Sequence, residues 1–200
     1  EPEKAVATIA RLAGGRPSVF VAGNHEAWGM TPARSLDRLK QAAKRVNVTV
    51  LDGDAAVIAG VRFIGATLWA DGLLSRLHLR PHETTGEGVR RPDGQGTITH
   101  GDEIALHARQ RDQIARLLDE APADGLPIVV VTHHAPLVDR VPPALRAHPG
   151  AGLFASDLSG LMARHPIALW VHGSDTRIVA NPAGPLFSTP GFEDDCVVAV

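Results

Sequence analysis

The chain is predicted to be α/β, a layered α/β sandwich, and three observations lead there. Short runs of β-branched and apolar residues at 18–22, 128–132 and 167–171 are separated by helical patterns rather than by hairpin turns alone. Each of these runs ends in histidine-bearing polar residues: Gly23-Asn24-His25-Glu26, His133-His134-Ala135-Pro136, and His172-Gly173. Open α/β sheets place ligand sites at the carboxyl ends of their strands. The far end of the chain, at 177–180 and 197–200, is strand-rich, which favours a sandwich over a barrel.

Taken in order, residues 3–13 read as a helix with Val6, Ile9, Ala10 and Ala13 on one face, closed by Gly14-Gly15. The strand at 18–22 follows. Thr31-Pro32 supplies an N-cap and a first-turn proline for a helix striped by Leu36, Leu39, Ala43 and Val46. Runs at 48–51, 55–58 and 61–66 are short strands, the last two a hairpin around Gly60. Residues 71–99 lose all periodicity and form one long irregular loop, the place for a lid or binding loop. A helix resumes over 101–120, then come the strand at 128–132, a helix from near Ser156, and the strand at 167–171.

Bulk properties narrow the function. Two hundred residues, 44% of them hydrophobic, suffice for a single domain over 1–200. Twenty basic against 22 acidic residues give a net charge of −2, which argues against a broad nucleic-acid-binding face. No apolar run reaches the length of a membrane span. The lone Cys196 excludes an internal disulfide and fits a reducing, cytoplasmic compartment. Of ten histidines, His78, His82, His100, His107, His148 and His165 sit in polar loop or helix contexts and are expected to be solvated. So are Arg80, Arg90 and Arg91 in the long loop, unless that loop contacts a phosphate.

The strand-end residues suit metal-assisted hydrolysis of phosphate esters, which needs oxygen and nitrogen ligands on rigid elements and a proton donor for the leaving oxygen. Asn24 offers a neutral carbonyl oxygen, His133 a ring nitrogen, and His25 a proton donor or electrostatic clamp. Each motif alone has a plainer reading. Asn-His after glycine is a common turn, a His-His pair often only packs, and Trp170 reads as a core aromatic. It is their order, each at a strand end, that points to a site.

In these motifs the chain resembles the calcineurin-like metallophosphoesterase superfamily. Gly23-Asn24-His25-Glu26 matches the G-N-H-[DE] segment, Thr132-His133-His134-Ala135-Pro136 the strand-end histidine, and Trp170-Val171-His172-Gly173 the lead-in to G-H-x-H. The resemblance implies that Asn24 and His133 are metal ligands and that His25 is the catalytic acid or phosphate contact. It implies two divalent ions of Mn, Fe or Zn type, and a small-molecule or protein phosphoester as substrate. The D-x-H and G-D-x-x-D segments have no counterpart before Gly23, and Ser174-Asp175-Thr176 stand where the final His-x-His belongs. We therefore expect a portion of a longer enzyme, lacking the N-terminal βα units and the loop that carries those histidines, and inactive in this form. The alternative is a degenerate, non-catalytic scaffold acting as a binding module. Ser174-Asp175 without a G-x-S-x-G elbow, and glycine pairs at 86–88 and 94–96 without a strand and helix around them, support neither serine hydrolysis nor nucleotide binding.

Overall fold

The computed structural model describes residues 1–84, 88–141 and 146–173; the expected strands at 177–180 and 197–200, and residues 174–176, lie outside them. Helix α1 (Pro2–Ala13) begins with proline in its first turn and ends at Gly14, whose φ of 58° is the left-handed cap that glycine adopts without strain. Strand β1 (Ser18–Val21) pairs in parallel with β2 (Val48–Leu51), and α2 (Pro32–Ala43) connects them. Thr31 caps α2 by accepting from the Arg34 amide through its hydroxyl at 3.2 Å. Val6, Leu39, Ala43, Val48 and Val50 form the core between these two helices and the two strands. Arg38 adds a two-pronged bond to Glu3, both contacts 2.7 Å, from α2 to α1.

The second sheet has the order β3 (Asp54–Ile58), β4 (Val61–Ala66), β5 (Ile128–Thr132), β6 (Ile167–His172). β3 is antiparallel to β4, while β4, β5 and β6 run parallel. Its outer face packs on α3 (His100–Asp119) and the short α4 (Ser159–Met162) through Ile64, Ala66, Ile114, Leu118, Val130, Leu161 and Trp170. A reciprocal capping box between Thr99 and Asp102 starts α3. The expected helix near Ser156 is thus a single turn beginning at Ser159. The chain is mixed α/β, with open sheets between helices. No helix among the described residues is long and apolar enough to cross a membrane.

The two sheets meet at Gly65. A Cβ there would lie 2.7 Å from Val21 Cγ1 and 2.9 Å from Leu51 Cβ, so only glycine lets the inner faces of β1, β2 and β4 approach this closely. At the β3–β4 hairpin both turn residues are left-handed, Ala59 at φ 50° and Gly60 at φ 80°. That is the geometry of a two-residue primed turn, in which asparagine or glycine is preferred and alanine is strained. Ala59→Asn is expected to raise stability by about 0.5–1 kcal/mol, read as a higher denaturant midpoint at unchanged slope.

Residues 71–99 contain no helix or strand among those described, in line with the sequence reading. They are nevertheless anchored: Val89 and Ile98 are fully buried with Ala27 and Trp69, and Val89 bridges to Trp28.

Candidate functional site

The parallel register sets Ala66, Thr132 and His172 side by side, so β4, β5 and β6 end at one level. The end of β1 is tied to the same place by the Thr67 hydroxyl, which donates to the Ala22 carbonyl at 2.7 Å. Four strand ends therefore converge, and the predicted residues lie there. Asn24, buried, starts a single 3-10 turn over His25–Ala27. His133 reaches across from β5, its Nε2 3.0 Å from Asn24 Oδ1 although the two are 109 residues apart in sequence. A carbonyl oxygen only accepts, so Nε2–H is the donor here.

Gly23 makes that approach possible: a Cβ on it would sit 2.8 Å from His133 Cε1. The Gly23 amide donates to Glu26 Oε2 at 2.7 Å, so this glutamate closes its own turn. His25 is exposed, its ring 4.4 Å from that of Trp28 and tilted by 49°. At the other end Gly173 donates to the His133 carbonyl at 3.0 Å, which brings β6 against the same histidine. His172 is buried at 2% exposure. Trp170 is a core residue as expected, its indole N–H donating to the Thr132 hydroxyl at 2.9 Å.

The chain bends at His133-His134 and again at Pro136-Leu137. Between the bends Ala135 makes an isolated parallel bridge to Ala155, its amide donating to the Phe154 carbonyl at 3.0 Å. His134 itself turns inward. Its backbone amide (3.1 Å) and its Nδ1 (3.3 Å) both donate to the Thr67 carbonyl, and its ring meets His133 edge-on at 4.9 Å. Burial, with the neighbouring His133 adding to it, holds the His134 imidazole well below its ordinary pKa. An unfolded chain binds this proton near the ordinary value of 6.5 and the folded one does not. Stability is therefore full above that pH and falls as pH drops below it, by at most about 1.4 kcal/mol per pH unit from this group. His134→Asn should flatten the dependence of unfolding free energy on pH between about 6.5 and 5; an unchanged slope in denaturant titrations would assign the acid sensitivity elsewhere.

The sequence reading missed the support beneath the site. Leu68 and Trp69, just past β4, take φ values of 71° and 50°. Left-handed geometry costs a bulky residue about 1–2 kcal/mol, and strain of this kind persists only where neighbours fix it. Two side chains of α3 do so. Gln110 accepts from the Leu68 amide at 2.7 Å and donates to Asp52 at 2.7 Å, and His107 Nδ1 donates to the Leu68 carbonyl at 3.0 Å. Burial pushes the Asp52 carboxyl upward, with the charge of Arg109 pulling the other way. His107 and His100, expected to be solvated, are buried at 1% and 8% exposure. The inward face of α3 is polar in its first half: His107 and Gln110 meet the Leu68 backbone rather than the sheet, and His100 lies against Gly72. His78, His82 and Arg90 are exposed.

Two concavities adjoin these elements. One of about 80 Å³ is walled by Asn24, Trp69, Ala70, Glu103, His134, Leu153 and Phe154. The other, about 670 Å³, is an open trough along Glu3, Asp37, Arg38 and Arg45 on α1 and α2. It is larger, but it lies away from the strand ends. Among the described residues no three His, Cys, Asp or Glu side chains group as metal ligands.

No family model matches the chain, and no solved structure matches it. It is similar to an uncharacterized protein, L509, of Acanthamoeba polyphaga mimivirus, with 26% identity over 170 residues. The match covers 77% of this chain and 59% of that protein, so the chain spans less than two thirds of its relative's length.

Proposed function

We propose that this chain carries part of the dinuclear centre of a calcineurin-like metallophosphoesterase, with a phosphate ester as substrate. The observation that carries the reading is the meeting of Asn24 Oδ1 and His133 Nε2 at 3.0 Å, on two separate strand ends. Two donor atoms at that spacing suit neighbouring positions about 2.1 Å from one ion. An amide oxygen with an imidazole nitrogen suits Mn, Fe or Zn. Two ligands do not complete a catalytic site, which takes about three protein ligands per ion, so other residues of the intact protein supply the rest.

Bound divalent ions would supply a nucleophilic water and offset charge on the phosphoryl oxygens. The chain's own residues do the positioning. Asn24 would present its carbonyl oxygen from a turn fixed by Glu26, and His133 its Nε2 in the neutral tautomer that carries the ring proton on Nδ1. His25, one residue on and exposed, gives a ring proton to the leaving oxygen. Thr67 holds the strand ends bearing Asn24 and His133 in register.

A second reading, a scaffold that binds without catalysis, is favoured by Asn24 and His133 already satisfying each other through their own hydrogen bond. Hydrolysis of 4-nitrophenyl phosphate and its bis-ester by the intact protein separates the two. The first reading predicts turnover with Mn²⁺ that is lost on chelation and restored by the ion. Absence of turnover with every divalent ion tried supports the scaffold.

A further inference from the structure

Trp28 is 52% exposed and directly follows the 3-10 turn that starts at Asn24 and carries His25. Its ring centroid stands 4.4 Å from that of His25, the planes tilted by 49°. Burying an indole is among the larger apolar gains open to a fold. Here about half of that gain is forgone, although the backbone is firmly held. Ala27, one residue before, is buried with Trp69, Val89 and Ile98. Trp28 forms an antiparallel bridge with Val89, the Gly29 amide donates to the Gly88 carbonyl at 2.8 Å, and the Arg90 amide donates to the Met30 carbonyl at 2.9 Å. Arg90 Nε adds a bond to the Gly29 carbonyl at 3.2 Å. Gly88 backs the five-membered ring: a Cβ on it would lie 3.6 Å from Trp28 Cγ. The indole is thus both exposed and held in place.

Position gives this ring a use. His25 is the proposed donor to the leaving oxygen, so whatever that oxygen carries emerges beside Trp28. A flat ring joined to the oxygen directly or through one carbon comes within the roughly 4.5–7 Å between centroids at which aromatic groups pair. A short alkyl chain offers the indole no such face.

Resting on the phosphoester reading, we propose that Trp28 receives the aromatic leaving group of a small-molecule phosphate ester and so selects for esters of that class. Hydrolysis of benzyl phosphate and of ethyl phosphate by the intact protein with Mn²⁺ tests this, since both release an alcohol rather than an activated phenol. Trp28→Ala is expected to lower kcat/KM for benzyl phosphate about tenfold more than for ethyl phosphate. Trp28→Phe should recover most of that ratio. A ratio unchanged by Trp28→Ala, whether both rates hold or both fall alike, overturns the proposal.

Binding gives a second measurement that needs no turnover. Benzylphosphonate, added in the presence of Zn²⁺, should shift the Trp28 indole N–H resonance, identified as the one missing from Trp28→Phe; ethylphosphonate should not. That shift in a protein that hydrolyses neither ester would leave the aromatic site standing and remove the phosphoesterase reading. Metal-dependent hydrolysis with neither preference nor shift would do the reverse. No turnover and no shift would remove both.

Discussion

Replacing His133 with alanine in the intact protein is expected to lower kcat/KM for phosphate-ester hydrolysis by at least about 10²-fold at saturating Mn²⁺. Loss of a group that merely orients a ligand costs 10–100-fold, and His133 is proposed as a ligand itself. Asn24→Ala should act in the same direction, and the double variant should cost little more than either single one, because the two atoms serve one ion. His133 is partly buried and hydrogen-bonds the buried Asn24, so its loss should also lower stability by about 1–2 kcal/mol, and the variant is assayed well below its Tm. Activity close to that of the native protein in the alanine variant would contradict the assignment.

The largest effect on stability is expected at Gly65. Valine there would drive its branched carbons into Val21 and Leu51, where even a Cβ has 2.7 Å and 2.9 Å. Both neighbours belong to strands pinned by their own pairing and by the α1–α2 core, so neither can withdraw without parting the sheets. Overpacking of this kind costs about 2–3 kcal/mol, a fall in Tm of roughly 5–10 °C for a domain of this size. Gly65→Ala should cost less. An unchanged Tm for the valine variant would mean that the sheets are not in contact at this point.

The helices and strands were legible because each carries a local signal: the glycine cap of α1, the Thr-Pro start of α2, the β-branched runs of β1 and β5. That Asn24 and His133 stand at strand ends was legible too, because each closely follows a β-rich run. The platform beneath them was not. On α3 the buried stripe runs His100, Glu103, His107, Gln110, Ile114, Leu118; its first four members are polar and read as a solvent face by composition. Only the fold shows that they meet the backbone of Leu68 and the space beside Trp69. Left-handed geometry at Leu68 and Trp69 was equally invisible, since neither residue type announces it. Nor does sequence spacing reveal that Thr67 ties the end of β1 to the end of β5.

Metal content of the intact protein, measured by plasma mass spectrometry after purification without chelators, tests the central claim most directly. The account predicts close to two divalent ions of Mn, Fe or Zn type per chain, falling sharply in His133→Ala. A protein that holds none, and takes up none from added Mn²⁺, would contradict it and leave a scaffold whose Asn24–His133 contact is structural.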